Sequence, residues 1–154
     1  MALVRLWRTP SLLILTARSP TKAQTMSKQL KVACPSVNVK VVELDLSSLQ
    51  SIRQAAMQLD GMTERIDILI NNAGVMGLSD RTLSEDGVEM QFATNYLGHF
   101  LFTNLLMGKM VSLPHMDHVA RLALSIALAL DTFLLPYDSV TTTMKVSQFR
   151  QKNS

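Results

Sequence analysis

Polar and small residues follow three short apolar runs of this sequence, and together they could bind a phosphorylated ligand. Arg18 comes after the first run, and Asp45 and Leu46 close the second. The third run is followed by Asn71, Asn72, Ala73 and Gly74. A guanidinium group grips phosphate through two parallel hydrogen bonds and stays charged. Small and polar residues at the carboxyl end of a parallel strand let a ligand approach the backbone.

The three runs predict three strands, and the first of them is expected to be buried on both faces. They are Leu12–Ala17, Val39–Leu44 and Ile66–Ile70. Helical patterns lie between them, and crossovers of that length join parallel strands, almost always in a right-handed sense. The sequence therefore predicts the α/β class.

Local signals predict where the intervening helices begin and end. Ser19-Pro20 starts the first helix, and Cys34-Pro35-Ser36 breaks it. Ser47–Gln50 has the spacing of a capping box at the start of the second helix, and Gly61 supplies its stop.

The second half of the chain is less regular than the first. Thr82–Glu85 repeats the capping-box spacing, and a long helix is predicted from about Val88 to Val111. Beyond it, Ala120–Leu130 fits either a strand or a helix, and Val140–Ser154 has the pattern of a polar tail.

Composition fits one compact domain and excludes some functions. The chain has 154 residues, of which 47% are hydrophobic and 18% charged, so global disorder is not expected. No acidic residue precedes Glu43, which leaves the first part basic. Only 5% of residues are aromatic and no run of Lys and Arg occurs, so nucleic-acid binding is not expected.

Cysteine, histidine and targeting signals bear on the compartment and on metal binding. The single cysteine, Cys34, fits a reducing compartment, and we expect a cytoplasmic protein. The basic, acid-free stretch Met1–Arg18 leaves a mitochondrial presequence as the alternative. The three histidines have no recognised ligand partners around them, so no metal is expected. The apolar run Leu122–Leu130 is shorter than the ~20 residues of a membrane helix, so we expect no transmembrane span.

Four segments resemble the short-chain dehydrogenase/reductase family in their order and spacing. They are Leu15–Ser19, Glu43–Leu46, Asn71–Gly74 and Asp86–Leu106, and the last is similar to the retinol-dehydrogenase and WW-domain-oxidoreductase branch. The resemblance covers roughly residues 12–110. It implies a partial Rossmann fold, with residues 1–110 as part of a dinucleotide-binding domain and residues 111–154 as a divergent segment without an assignable domain.

The resemblance also implies roles for the polar residues. Asp45 would bind the adenine amino group, and Leu46 and Asn71–Gly74 would lie along the adenosine side of a nicotinamide dinucleotide. An acid after the second family strand binds the ribose 2′-hydroxyl, whereas an arginine suits a 2′-phosphate, so Arg18 favours NADP over NAD. Asn95 would hold a water beside the catalytic lysine of a proton relay.

Two features that the family needs are missing from the sequence. No glycine precedes Gly61, so the first strand and the Gly-rich turn that binds pyrophosphate are not expected, and two inner strand edges would be left exposed. Nor is there a Tyr-x-x-x-Lys: Tyr96 and Tyr137 are followed at that spacing by Phe and Thr. Tyr137 has about the family spacing from Ser125, but the nearest downstream lysine is too far along.

Two hypotheses follow for the function. The first is a truncated NADP-dependent oxidoreductase of alcohols and carbonyls, with impaired cofactor binding and negligible turnover. The second is a non-enzymatic interaction protein that pairs with a full-length relative through the helix at residues 88–111. Family members usually pair through this helix, so the resemblance implies a homodimer or a heterodimer.

Overall fold

The computed structural model describes residues 10–78, 80–111, 121–124 and 142–146, with the last two ranges described as backbone. The part described contains five strands and a set of helices. In chain order they are β1 (Leu12–Ala17), α1 (Pro20–Ala33), β2 (Asn38–Glu43), α2 (Leu49–Met62), β3 (Ile68–Asn71), α3 (Met90–Phe92), a π-helical segment (Ala93–Leu97), α4 (Gly98–Val111), β4 (Arg121–Leu124) and β5 (Thr142–Val146).

The strands form one sheet in the order β2-β1-β5-β3-β4. β1 is parallel to β2, and β3 is parallel to β4, whereas β5 is antiparallel to both of its neighbours. A Rossmann sheet has the order 3-2-1-4-5-6, so four strands occupy the positions of family strands 3, 2, 4 and 5. The predicted α/β class and partial Rossmann fold are confirmed.

The central position of the sheet differs from expectation. β5 occupies it and pairs with both β1 and β3, with Thr16 opposite Thr142 and Ile68 opposite Lys145. The expectation of two exposed inner edges is therefore wrong, and so is that of a polar tail throughout Val140–Ser154. Unpaired backbone groups in the middle of a sheet are costly, and a segment rich in Thr and Val suits a strand, so the tail completes the sheet.

The ends of α2 correct two predicted signals. Ser48, not Ser47, is the N-cap, and its Oγ accepts a hydrogen bond from Ser51 N at 3.2 Å. The helix runs through Gly61 and ends at Met62; the C-cap Thr63 is extended, and its N–H donates to Leu59 O. Gly61 keeps a negative φ, so it does not form the left-handed cap that would stop a helix.

The predicted capping box at Thr82–Glu85 does not start a helix. Leu83 instead forms an isolated antiparallel bridge with Glu89, across a turn in which Gly87 has φ 75°. Glu89 is the N-cap, accepting hydrogen bonds from Gln91 N at 3.0 Å and Phe92 N at 2.8 Å, and these bonds lower the pKa of its carboxyl group. The helix predicted from about Val88 thus begins at Met90.

Apolar residues pack on both faces of the sheet. On one face, Ile14 and Leu69 pack with α2 and α4, whose Leu59 and Phe102 are fully buried. On the other face, Leu13, Leu15 and Val39 pack with Leu30 of α1. This layering on both faces is what near-continuous apolar strands require. Among the described helices, none is both long and apolar enough to cross a membrane.

Candidate functional site

The residues singled out from the sequence meet at one edge of the sheet. β1 and β3 are both antiparallel to β5, and β2 is parallel to β1, so these three strands end at the same edge. Arg18 follows β1, Asp45 follows β2, and Asn72–Gly74 follow β3. Ligands of open α/β sheets bind outside the carboxyl ends of the strands, so this edge is the candidate site.

Arg18 and Asp45 can offer opposite charges to a ligand. The Arg18 side chain is exposed. Asp45 Oδ1 accepts hydrogen bonds from Ser47 N at 2.9 Å and Ser47 Oγ at 2.6 Å, and the Asp45 N–H donates to Ser51 Oγ. These bonds hold the carboxylate against the start of α2. Within the described residues no hydrogen bond engages Asp45 Oδ2, so this oxygen can accept one from a ligand.

Leu46 lies beneath the edge rather than on it. Its side chain is buried, and Gly98 packs against its backbone so closely that a Cβ at Gly98 would overlap the Leu46 carbonyl oxygen. Glycine is the residue that permits such an approach. The contact sets the first turn of α4 directly against the chain that follows β2.

Asn71 and Asn72, although adjacent, face different surroundings. Asn71 is only 2% exposed, and its Nδ2 donates to Thr103 Oγ1 on α4 at 2.9 Å. Asn72 is exposed. Of the two amides expected beside a cofactor, Asn72 can therefore reach a ligand, while Asn71 ties the end of β3 to the helix.

His99 contacts the next part of the same turn. Its Nε2 lies 2.6 Å from Ala73 O, and because a carbonyl oxygen can only accept, Nε2 carries the hydrogen. Burial lowers the pKa of His99, an effect that the hydrogen bond to Ala73 partly opposes. His99 is one of the three histidines for which the sequence indicated no ligand partners, and this contact was not predicted. The available signal was its helical spacing from Asn95.

Asn95 holds the backbone just beyond Gly74. Its Oδ1 accepts from Val75 N at 2.7 Å and its Nδ2 donates to Val75 O at 2.8 Å. A Cβ at Gly74 would lie 3.1 Å from Asn95 Oδ1, so the turn approaches the amide closely. Asn95 lies in the π-helical segment, a feature frequent at functional sites. Both polar atoms of its side-chain amide are bonded to Val75. The role in a proton relay that the resemblance implies for Asn95 stays a prediction.

Three residues of the helical stretch, spaced four positions apart, thus contact three residues at and just after the end of β3, spaced two positions apart. Four residues of helix rise about 6 Å, and two residues of extended chain span about 6.6 Å, so the two spacings match. We call these contacts the helix clamp. They are Asn95 with Val75, His99 with Ala73, and Thr103 with Asn71.

Comparison with known proteins decides the family. The family model described as short chain dehydrogenase matches residues 3–117. The chain belongs to the short-chain dehydrogenase family. Oxidoreductase fscI of Fusarium equiseti is 41% identical over 103 residues, which cover 67% of this chain and 40% of that protein. Retinol dehydrogenase 13 of Homo sapiens is 43% identical over 116 residues, covering 70% of this chain and 35% of that one.

This short-chain dehydrogenase chain therefore spans about two fifths or less of the length of the curated relatives it matches. The likeness to retinol dehydrogenases agrees with the branch that the sequence resembles. Among solved structures, the Pseudomonas aeruginosa RhlG/NADP active-site complex aligns with a TM-score of 0.59 and 23% identity, over 72% of this chain and 43% of that one. At that identity the likeness shows the Rossmann-like fold.

The sequence offered no metal site and no complete set of catalytic residues beyond Asn95. Ser125 and Tyr137, the weak substitutes for the family pair, lie outside the described residues. Tyr96 is 61% exposed and its ring stacks on that of Phe92 at 5.4 Å. Within the described ranges no cluster of three or more His, Cys, Asp or Glu side chains could hold a metal ion.

Proposed function

We propose that this chain binds the adenosine end of NADP at the carboxyl edge of β1, β2 and β3. The observation that carries the proposal is the convergence of Arg18, Asp45 and Asn72–Gly74 behind three strands of the same direction. The reaction class is the interconversion of alcohols and carbonyls, in keeping with the retinol dehydrogenase among the relatives.

The residues present suit a 2′-phosphoadenosine group. The exposed Arg18 guanidinium would bind the 2′-phosphate, and Asp45 Oδ2 would accept a hydrogen bond from the adenine amino group. The clamped turn offers the backbone near Gly74 to the adenosine. When bound, NADP supplies the site that gives or takes a hydride, and the residues of this chain bind and orient it. The NADP in the RhlG complex supports this choice of cofactor.

The described residues provide fewer groups for binding the pyrophosphate of NADP than for binding its adenosine end. In the family, strand 1 runs into a Gly-rich turn, and the pyrophosphate sits on the helix N-terminus that follows. Here β5 holds that position and runs the opposite way, so its amino end, at Thr142, faces the site. In this direction β5 cannot lead into a helix at this edge, as family strand 1 does. We therefore propose that the adenosine end carries the affinity and that binding of NADP is weakened.

Calorimetric titration of the full chain with NADPH and NADH tests the assignment. NADPH should bind more tightly, and Arg18→Glu should weaken NADPH binding by about tenfold to a hundredfold, as expected for charge-assisted hydrogen bonds. Lys31→Glu is the matched control, because Lys31 lies in the last turn of α1, away from the carboxyl edge. Equal binding of NADPH and NADH, or equal effects of the two variants, would refute the role of Arg18.

We further propose that the 154-residue chain turns over its substrate negligibly. It contains no Tyr-x-x-x-Lys, and one positioned general acid or base typically contributes about 10²–10⁴-fold to a rate. The test is the purified chain with NADPH and a panel of aldehydes and ketones. Turnover comparable to that of a complete short-chain dehydrogenase would contradict the proposal.

A second function, pairing with a full-length relative, is favoured by one exposed apolar surface. Phe92, Tyr96 and Phe100 follow one another at helical spacing of four and are 53%, 61% and 59% exposed. Large apolar side chains grouped on one helix face mark interaction surfaces. We call these three residues the aromatic stripe, and propose that it pairs with the equivalent helix of a complete family member.

Co-expression with such a relative and size-exclusion chromatography test this pairing. Co-elution is expected for the natural chain and should be lost in Tyr96→Arg, which places a charge in the middle of the aromatic stripe. Val32→Arg is the matched control, since Val32 is an exposed apolar residue on α1, which packs on the opposite face of the sheet from α4. Absence of co-elution with the natural chain would dispose of the pairing.

A further inference from the structure

Two side-chain atoms beneath the Asn71–Gly74 turn are buried and have no hydrogen-bond partner among the residues that the structure describes. They are Asn71 Oδ1 and His99 Nδ1. Asn71 is 2% and His99 is 5% exposed, so bulk water does not reach either side chain freely. Native proteins pair most of their buried side-chain polar atoms, so two such atoms in adjacent contacts of the helix clamp need an explanation.

The partners that these two residues already have fix the chemistry of the two free atoms. Asn71 Nδ2 donates to Thr103 Oγ1, which makes Oδ1 the acceptor of that amide. His99 Nε2 donates to Ala73 O, and in a neutral imidazole the other nitrogen is then an acceptor. Burial, which lowers the pKa of His99, favours that neutral ring. Both atoms therefore lack a donor.

The two acceptors belong to neighbouring contacts of the helix clamp. His99 and Thr103 lie four residues apart on one face of α4, and Asn71 and Ala73 lie two residues apart along the extended chain. The free atoms thus belong to neighbouring contacts that run side by side between β3 and α4. Lys109 is the cation on α4, and its Nζ is bound to Asp60 and Thr63 near the far end of the helix.

We propose that a single buried water molecule binds between β3 and α4 and donates one hydrogen to Asn71 Oδ1 and the other to His99 Nδ1. Water is the small neutral molecule that can donate twice from one oxygen. Buried waters typically make about three hydrogen bonds to polar groups that lack other partners. The bound water joins two contacts of the helix clamp, and His99 acts through it as a positioning residue for the turn. The contacts that support this water do not involve a bound nucleotide.

Nitrogen-15 NMR of the histidine rings in the full chain tests the proposal. His115→Gln and His118→Gln assign the three rings. At neutral pH, His99 should show a protonated Nε2 and an unprotonated, hydrogen-bonded Nδ1, and its ring should give a nuclear Overhauser effect to a slowly exchanging water. A doubly protonated ring, the Nδ1–H tautomer, or the absence of the water signal would each overturn the proposal.

Asn71→Leu extends the test by removing one of the two acceptors at similar side-chain volume. The water should then exchange faster, with its Overhauser signal reduced at least severalfold, while His99 keeps the Nε2–H form through Ala73. Asn104→Ala is the control, since the Asn104 amide donates to Phe100 O within the same helix, and the variant should leave the signal unchanged. An unchanged Overhauser signal in Asn71→Leu would count against a water shared by the two residues. If Asn71→Leu does not fold, the NMR measurement on the natural chain still tests the proposal.

Discussion

The side-chain amide of Asn95 forms a closed pair of hydrogen bonds with the backbone of Val75. Oδ1 accepts from Val75 N at 2.7 Å, and Nδ2 donates to Val75 O at 2.8 Å. β3 has ended by this point, so the amide takes the place of a strand neighbour for the residue after the turn. An amide offers a donor and an acceptor together, which neither a carboxylate nor an aliphatic side chain can do.

Replacing Asn95 should therefore loosen the turn. We expect Asn95→Ala to lower the free energy of unfolding by about 1–3 kcal/mol, because two hydrogen bonds are lost at about 0.5–1.5 kcal/mol each. Urea unfolding followed by circular dichroism gives the value. Asn95→Asp keeps only the hydrogen-bond acceptor, so its free energy of unfolding should lie between those of the natural chain and Asn95→Ala.

Asn104→Ala is the control for this prediction. Its amide Nδ2 donates to Phe100 O one turn earlier in the same helix, and alanine is the better helix former. The variant should be as stable as the natural chain or slightly more so. Similar losses in Asn95→Ala and Asn104→Ala would mean that the Val75 contact does not hold the turn.

Gly98→Ala should be among the most damaging single-methyl changes in the chain. The added Cβ would overlap the Leu46 carbonyl oxygen, a backbone atom that cannot rotate away. Overpacking typically costs about 1–3 kcal/mol, and more where backbone must move. Gly108→Ala, on the same helix, would place its Cβ where no atom lies within 4 Å and should stabilise by about 1 kcal/mol. Thermal unfolding of the two variants measures the contrast, and equal melting temperatures would refute it.

The elements that the sequence predicted well are those specified by neighbouring residues. β1 was assigned with its observed bounds because Leu12–Ala17 is apolar throughout, and α1 because Pro20 suits the first helical turn. The family resemblance then ordered the strands of the sheet. The capping-box patterns misplaced two helix starts, since spacing alone does not say which Ser or Thr the backbone will use.

What could not be predicted depends on contacts between distant parts of the chain. β5 has no strong local signal, and its place between β1 and β3 follows from two edges that need a partner. In the site, Arg18 and Asp45 could be placed at a strand end from sequence, but the inward orientation of Asn71 and the contact of His99 with Ala73 depend on how α4 docks. The cytoplasmic location stays a prediction.

His99 should make stability depend on pH below neutrality. Burial lowers its pKa in the folded state, so as pH falls the unfolded chain takes up the proton first, at about pH 6.5. The stabilisation is complete above the unfolded-state pKa and declines below it, by at most about 1.4 kcal/mol per pH unit for one proton, until the folded-state pKa is reached. Urea midpoints between pH 5 and 8 should show this slope.

His99→Gln provides the comparison for the pH experiment. Glutamine cannot titrate, so the part of the slope due to His99 should vanish, whereas slopes due to carboxylates at lower pH should remain. If His99→Gln unfolds with the same pH dependence as the natural chain, the buried ring is not its source.

Lys109 should hold the end of α2 to α4 chiefly through backbone carbonyls. Its Nζ donates to Thr63 O at 2.7 Å and Asp60 O at 2.9 Å, and it also pairs with Asp60 Oδ1 at 2.9 Å. Lys109→Met should cost about 1.5–3 kcal/mol in the free energy of unfolding, since hydrogen bonds to a charged group are lost and the carbonyl of buried Thr63 loses this donor.

Asp60→Asn separates the carbonyl contacts from the ion pair. The Asp60 side chain is 75% exposed, so losing its charge should cost less than about 1 kcal/mol, and added salt should remove most of that difference. The cost of Lys109→Met should persist at high salt, because bonds to carbonyl oxygens at a partly buried ammonium are screened little. Urea unfolding at two salt concentrations distinguishes the cases. If the effect of Lys109→Met disappears with added salt, Lys109 stabilises the protein through its ion pair with Asp60 and not through the carbonyls at the end of α2.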